Sequence, residues 1–210
     1  MTELYFDFIS PFSYFLFERL KPVRDTNSDL TFSPVLLINL LSHWGQTPPA
    51  QVRPKRLFLF REALRYAKKN SIDFMVPNEH PFNSLQALRM STSFCAKQCE
   101  VSQIFIIESL WSYIWKYGKN INDLESLTTH LNEAGLPGLK LVEASYSKES
   151  KSEVKANCEK AISMDVFGVP TIVHKNEVFW GNQSWDDFQK FKETGDLGYD
   201  KNYYNHLTQK

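Results

Sequence analysis

Two short segments of this 210-residue chain carry residue types able to bind and activate a small ligand. The first is Asp7-Phe8-Ile9-Ser10-Pro11-Phe12-Ser13-Tyr14, the second Val166-Phe167-Gly168-Val169-Pro170-Thr171. In the first, Ser10 is a favoured N-cap and Pro11 a favoured first helical residue, so a helix should begin here with unpaired backbone N–H groups and partial positive charge. Such an end gathers donors for an anion, and Ser10 adds a hydroxyl. The same serine also reads as an ordinary helix cap, and by itself it does not separate the two. In the second segment a proline enters what should be a central strand. Its missing N–H is awkward there unless Val169-Pro170 is cis and a bulge or turn frees the neighbouring backbone groups; an ordinary trans turn is the alternative.

Other chemistries find no support. The chain has no Gly-rich phosphate loop, no Gly-x-Ser-x-Gly elbow and no His-Glu-x-x-His, and His43, His80, His130, His174 and His206 are scattered without ligand spacing. No metal is expected. With no histidine evidently paired to it, Ser10 is a poor nucleophile, which argues against hydrolase chemistry. Asp186-Asp187 reads as the acidic first turn of a helix. Cys95, Cys99 and Cys158 form no Cys-x-x-Cys pair, so a redox dithiol is absent, and Cys95 and Cys99 read as small buried residues one helical turn apart.

The elements that would position these segments follow from periodicity. Leu4 to Ile9 is a short aromatic-rich run suited to a strand covered on both faces. After the Ser-Pro, Phe12, Phe15, Leu16, Leu20 and Val23 recur at helical spacing, and Leu30 to Leu37 reads as a second strand closing a β-α-β unit. From Ser42 a loop, His43-Trp44-Gly45-Gln46-Thr47-Pro48-Pro49, leads into helical patterns. These carry Leu57, Phe60, Leu64 and Ala67, then Leu85, Leu88, Thr92 and Cys95, with an extended loop from Phe74 to Asn83 between them. Further helices hold Ile104, Ile107, Trp111 and Ile114, then Leu124, Leu127 and Leu131, the last stopped by Gly135 and Pro137, and another runs from Lys151 to Met164. Thr171 to His174 and Glu177 to Trp180 flank Lys175-Asn176 at the spacing of a two-residue hairpin, and Trp185, Phe188 and Phe191 mark a closing helix. The expected fold is α/β, with an all-helical domain (43–164) inserted into a split domain (1–42 and 165–210).

Composition sets the partners. The 24 basic residues balance 24 acidic ones, so no positive field draws nucleic acid or anionic lipid. With 42% hydrophobic and 14% aromatic residues, the chain should build a packed core or an apolar cleft for a small ligand. No basic N-terminal region precedes an apolar run and no stretch is long enough to span a bilayer, so a soluble, cytoplasmic protein is expected.

Nearly the whole chain resembles the DsbA-like branch of the thioredoxin superfamily, within it the kappa-class glutathione transferases and 2-hydroxychromene-2-carboxylate isomerases. Four stretches carry the match: Tyr5 to Ser13, Gly45-Gln46-Thr47-Pro48-Pro49 with Lys55-Arg56, Phe82-Asn83-Ser84-Leu85-Gln86-Ala87-Leu88-Arg89, and Phe167-Gly168-Val169-Pro170-Thr171 through Phe179-Trp180-Gly181-Asn182. The fold this implies is thioredoxin-like with an inserted helical domain. The resemblance further implies that Ser10 stands in place of the first cysteine of the thioredoxin Cys-x-x-Cys and activates a glutathione thiol. Val169-Pro170 would be a cis-proline whose preceding backbone pairs with the cysteinyl unit. Lys55 would reach the glycyl carboxylate with Gln46 nearby, and the Asn182-Gln183 turn would face the γ-glutamyl end. The family usually has Asn at the Gln46 position and Asp-Arg at Gln183-Ser184, so the γ-glutamyl amine loses a carboxylate partner, and charge-assisted bonds are roughly twice as strong as neutral ones.

The implied reaction is reversible addition of the thiolate to an aromatic pyruvate-type substrate, rotation in the adduct and elimination that returns glutathione. Phe12, Trp44 and Phe82 are candidates for an aromatic slot, and Asn83, Lys55 or Arg56 for a carboxylate contact; each is equally readable as a surface or core residue. A kappa-like transferase or peroxidase and a non-catalytic thioredoxin-like binding module are the alternatives. Relatives imply a homodimer.

Overall fold

The first strand, β1 (Thr2–Phe6), is buried along its whole length because it lies inside the sheet and is covered on both faces. The computed structural model of the chain describes residues 2–24 and 29–208. The expected strand from Leu4 to Ile9 ends at Phe6, since Asp7 folds the chain over: its carbonyl accepts from Ser10 N–H at 3.1 Å and its Oδ1 from Ile9 N–H at 3.1 Å. Helix α1 (Pro11–Arg24) then starts at the expected proline and buries Phe15, Leu16 and Leu20; the side chain of Val23 lies outside the described residues.

Strand β2 (Leu30–Pro34) pairs parallel to β1, from Thr2 opposite Leu30 to Phe6 opposite Pro34. The sequence predicts a strand through to Leu37, but the chain turns into helix α2 (Leu37–His43). A short unbroken apolar run does not separate the two periods, and the side chain of Asp7 decides it by accepting the Leu37 N–H at 2.8 Å, one of the orphan donors of the new helix.

The helical stretch continues with α3 (Arg53–Lys69), α4 (Leu85–Met90), α5 (Ser93–Gln98) and α6 (Gln103–Trp111), the last running into a π-helical turn at Ser112–Lys116. The pattern from Leu85 to Cys95 predicts one helix and the chain makes two. Thr92 Oγ1 donates to Arg89 O at 2.7 Å and accepts from Cys95 N–H at 3.2 Å, closing α4 and capping α5. Helices α7 (Leu124–Glu133), α8 (Gly138–Ser145) and α9 (Lys148–Ser163) follow. Pro137 ends the α7 pattern as expected and also opens α8, which the sequence did not predict. Gly138 permits that packing, because a Cβ there would stand 2.6 Å from Thr128 O.

Strands β3 (Thr171–His174) and β4 (Glu177–Trp180) form the predicted hairpin, with Lys175 and Asn176 both left-handed at φ 50° and 67°, as a two-residue turn requires. The sheet order is β2-β1-β3-β4, with β1 to β3 and β3 to β4 antiparallel. Helix α10 (Trp185–Thr194) closes the sheet as predicted, and an exposed α11 (Lys201–Thr208), which no pattern announced, follows it. The buried side chains form one contiguous cluster. Phe8 of the turn after β1 lies 4.5 Å from Trp111 of α6, ring centre to ring centre, so the helical stretch is welded to the strand end that carries Ser10.

Candidate active site

The turn Asp7 to Ser10 presents four backbone carbonyls at the end of β1, and all four are hydrogen-bonded. Asp7 O takes Ser10 N–H, and Ser10 O takes Ser13 and Tyr14 N–H in the first turn of α1. The other two are served from the helical stretch: the indole N–H of Trp115 donates to Phe8 O at 2.8 Å and His80 Nε2 donates to Ile9 O at 3.1 Å. The Asp7 carboxylate adds the links to Ile9 and Leu37 N–H already described, with Ser84 as a further side-chain partner. Residues from four segments thus fix the position of Ser10.

Ser10 is the N-cap of α1, its Oγ accepting from Ser13 N–H at 3.3 Å. It is 8% exposed and has no acceptor for its own hydroxyl hydrogen among the described residues. That hydroxyl opens on a cavity of about 560 Å³ between α1, α2, the loop before α4 and the segment before β3. The same cavity is lined by Val169, whose bond to Pro170 is cis, and by Gly168. The rest of the wall is largely apolar, including Phe12, Leu37, Ile38, Phe82 and Trp180. A larger cleft of about 920 Å³ beside α1 is lined half by charged residues, some tied to one another, such as Arg19 to Asp186 and Lys116 to Asp73, and touches Gln183 alone among the predicted site residues. Volume does not make it the site.

Comparison with known proteins agrees with this fold. The family model described as a DSBA-like thioredoxin domain matches residues 2–191. The chain belongs to the DSBA-like thioredoxin domain family. Among relatives of this DSBA-like chain, a 2-hydroxychromene-2-carboxylate isomerase of Pseudomonas putida is 27% identical over 187 residues, covering 87% of this chain and 89% of that one. Glutathione S-transferase kappa 1 of Rattus norvegicus is 26% identical over 182 residues, covering 82% and 80%. A solved 2-hydroxychromene-2-carboxylate isomerase superposes with a TM-score of 0.76 at 23% identity, over 91% of this chain and 92% of that one, which shows the shared fold.

In this DSBA-like domain the sequence-predicted residues divide into four groups. Ser10, Phe12, Gln46, Phe82, Asn83 and Val169 all line the cavity. Lys55 and Gln183 lie instead in an adjoining recess of about 610 Å³, which shares Phe12, Pro49 and Leu59 with it. Pro170 and Asn182 are buried behind the wall, Pro170 O accepting from Gly181 N–H at 2.8 Å and the Asn182 amide nitrogen lacking a partner. Trp44 lies outside both spaces, its indole N–H donating to Val166 O at 3.0 Å. Gln46 reaches the same segment through Phe167 O at 3.3 Å. Asn83, one residue before the N-cap of α4, accepts Leu85 N–H on its Oδ1 at 3.0 Å, which leaves its amide N–H groups for other use.

The DSBA-like scaffold carries no thiol at its helix entry, where Ser10 and Ser13 stand. Cys95, Cys99 and Cys158 are free, and burial holds all three thiols in the protonated form, pushing Cys95 up to about 11. No metal-binding cluster occurs among the described residues.

Three residues at the site carried no sequence signal strong enough to single them out. Asp7 lines the cavity and is fully buried; burial raises its pKa against the lowering effect of its Ser84, Leu37 and Ile9 partners. His80 also lines the cavity, and burial lowers its pKa, so it is neutral with Nε2 protonated toward Ile9 O and Nδ1 buried without a partner. Trp115 is wholly buried behind them. A lone His in a proline-rich loop and a Trp within an apolar helical pattern look like many others, and only the long-range contacts distinguish them.

Proposed function

We propose that the chain is a glutathione-dependent enzyme in which Ser10 and the N-terminus of α1 hold the glutathione thiol as a thiolate for addition to a small aromatic substrate. The carrying observation is the Ser10 hydroxyl, pinned by the Asp7 turn at the head of a 14-residue helix, lining a largely apolar cavity together with Val169 and lacking an acceptor of its own among the described residues. A free thiol titrates near ~8.5, so only a few per cent is thiolate at neutral pH. A hydroxyl donor and the positive end of a helix both favour the anion and lower that value. Ser10 donates and keeps its proton otherwise; the nucleophile is the cofactor's sulfur.

In this reading the Val169 backbone pairs with the cysteinyl unit beside Pro170. The peptide's outer ends extend into the adjoining recess, toward Lys55 and Gln183, with Gln46 and the Asn182 turn as its flanks. Phe12 and Phe82 hold the second substrate against the sulfur. Addition to a conjugated double bond, rotation about the resulting single bond and elimination isomerise the substrate and release glutathione unchanged. The isomerase relatives, matched over most of both chains, favour this course. The kappa-class relative, matched almost as well, favours a transferase that consumes thiol. Following thiol concentration with chlorodinitrobenzene as electrophile separates them, since only the transferase depletes it. A non-catalytic binding module would be indicated by a Ser10→Ala variant with unchanged glutathione affinity and no activity to lose.

No described helix is long and apolar enough to cross a membrane. The reading fits a cytoplasmic protein whose three cysteines stay reduced. It also fits a homodimer, with exposed Leu57, Phe58 and Leu64 on α3 as the apolar surface to cover, which light scattering in solution tests. The primary test is a thermal titration with glutathione: binding to the folded state stabilises by about 2.7 kcal/mol at a hundredfold excess over Kd. No shift at ~1 mM glutathione would sink both enzyme readings.

A further inference from the structure

We infer that the second substrate taken by this site is an uncharged aromatic electrophile, of the class of α,β-unsaturated ketones, and not an aromatic carboxylate. The inference rests on the glutathione reading and concerns only what meets the sulfur.

The wall of the Ser10 cavity contains no lysine or arginine among the described residues. Its two ionisable members are Asp7 and His80, and both are spent on holding the turn. Asp7 accepts Ile9 and Leu37 N–H, and His80 donates Nε2–H to Ile9 O. Burial raises the pKa of Asp7, against the lowering effect of its Ser84, Leu37 and Ile9 partners, and lowers that of His80, so neither supplies a positive charge to the wall. Protonating His80 to create a cation would place charge among Phe60, Phe82 and Trp115, whose rings lie 4.9, 5.7 and 5.8 Å from its own. The nearest basic side chains stand elsewhere: Lys55 lines the adjoining recess, and Arg56 is exposed outside both spaces, although close enough to help lower the His80 pKa. A carboxylate entering this cavity would lose its water and meet no lysine or arginine on the wall in exchange.

A ketone meets better terms. Its aromatic ring lies against Phe12 and Phe82, and its oxygen can accept from the Asn83 amide, whose Oδ1 alone is used, on Leu85 N–H. The step balances without a further reagent. The thiolate sulfur forms a C–S bond at the β-carbon, and the C=C pair moves to the carbonyl oxygen as an enolate, where the Asn83 donor is needed most. After rotation the enolate pair restores the double bond as the C–S bond breaks, and the thiolate returns.

The test compares Z-benzalacetone, a neutral enone, with Z-benzalpyruvate, its carboxylate counterpart, each followed for conversion to E at saturating glutathione and normalised to its rate with glutathione alone. The expected result is a normalised kcat/KM at least about tenfold higher for benzalacetone. The Ile38→Lys variant supplies the missing cation: Ile38 lines the cavity in the first turn of α2 and is 43% exposed, so a lysine is accommodated there. It should move the preference toward benzalpyruvate by about tenfold. Equal or higher kcat/KM for benzalpyruvate in the wild-type protein, or a preference that Ile38→Lys leaves unmoved, overturns the inference. Thermal stabilisation by glutathione without conversion of benzalacetone overturns this inference alone, whereas absence of stabilisation removes the glutathione reading together with it.

Discussion

His80 donates its Nε2–H to the carbonyl of Ile9 at 3.1 Å, across 71 positions of sequence, and Ile9 is the residue before Ser10. With the Trp115 bond to Phe8 O it makes the helical stretch the clamp that sets where the Ser10 hydroxyl points. His80→Ala should therefore lower turnover by about tenfold or more through misplacement of Ser10. Because the residue acts through the turn, the effect should fall on kcat with glutathione affinity changed less, and His80→Gln, whose amide can donate to Ile9 O, should recover part of it. Steady-state kinetics of the two variants check this.

Trp115→Phe keeps an aromatic ring but leaves the buried Phe8 carbonyl without its donor. The expected cost is about 1–3 kcal/mol, read as a lower urea midpoint with an unchanged slope.

The pH dependence of stability follows from His80 and His174, whose pKa values burial lowers from 6.5 in the folded protein. The unfolded chain then binds more protons than the folded one between the two pKa values. The stability contributed is fully present above about pH 6.5 and lost as the pH falls through the lowered values. His80→Gln should flatten the acid side of a plot of Tm against pH.

Gly168→Ala would place a Cβ 2.8 Å from the indole nitrogen of Trp180, which is 54% exposed and can swing away. Trp180 and Phe167, 5.0 Å apart between ring centres, form one rim of the cavity. The variant should raise KM for the aromatic substrate several-fold and alter tryptophan emission while changing stability by about 0.5 kcal/mol or less.

Much of this arrangement is legible in the residues themselves. Ser10-Pro11 marks a helix start because a cap and a donor-free residue fit nowhere better, and Lys175-Asn176 marks a hairpin because two short strand-like runs flank it at the spacing of a two-residue turn. The start of α2 is not legible, since Leu36 to Leu41 suits either period until the Asp7 carboxylate claims the Leu37 N–H. Nor is α8, whose first residue sits directly after the proline that stops α7. At the site, Ser10, Phe12, Phe82 and Val169 line one cavity, whereas Trp44, expected beside the substrate, spends its indole N–H on Val166 O. Side-chain partners far apart in sequence decide these cases, and no local pattern encodes them.

Ser10→Ala removes both a cap and a donor. The cap is worth about 1 kcal/mol, so a modest fall in Tm is expected. The donor is worth more to the reaction, about 10²-fold in turnover, as for the loss of one preorganised hydrogen bond to a developing or resident anion. A Ser10→Asn variant, which can cap the helix and still donate from its amide, should restore the stability and only part of the turnover.

The most direct measurement is the pKa of glutathione bound to the protein, read from its ultraviolet thiolate absorbance across a pH titration. The account predicts a value at least about one unit below the free thiol's ~8.5 in the wild-type protein, and a return toward the free value in Ser10→Ala. Bound glutathione that titrates like the free thiol, or that titrates identically with and without the Ser10 hydroxyl, would contradict it.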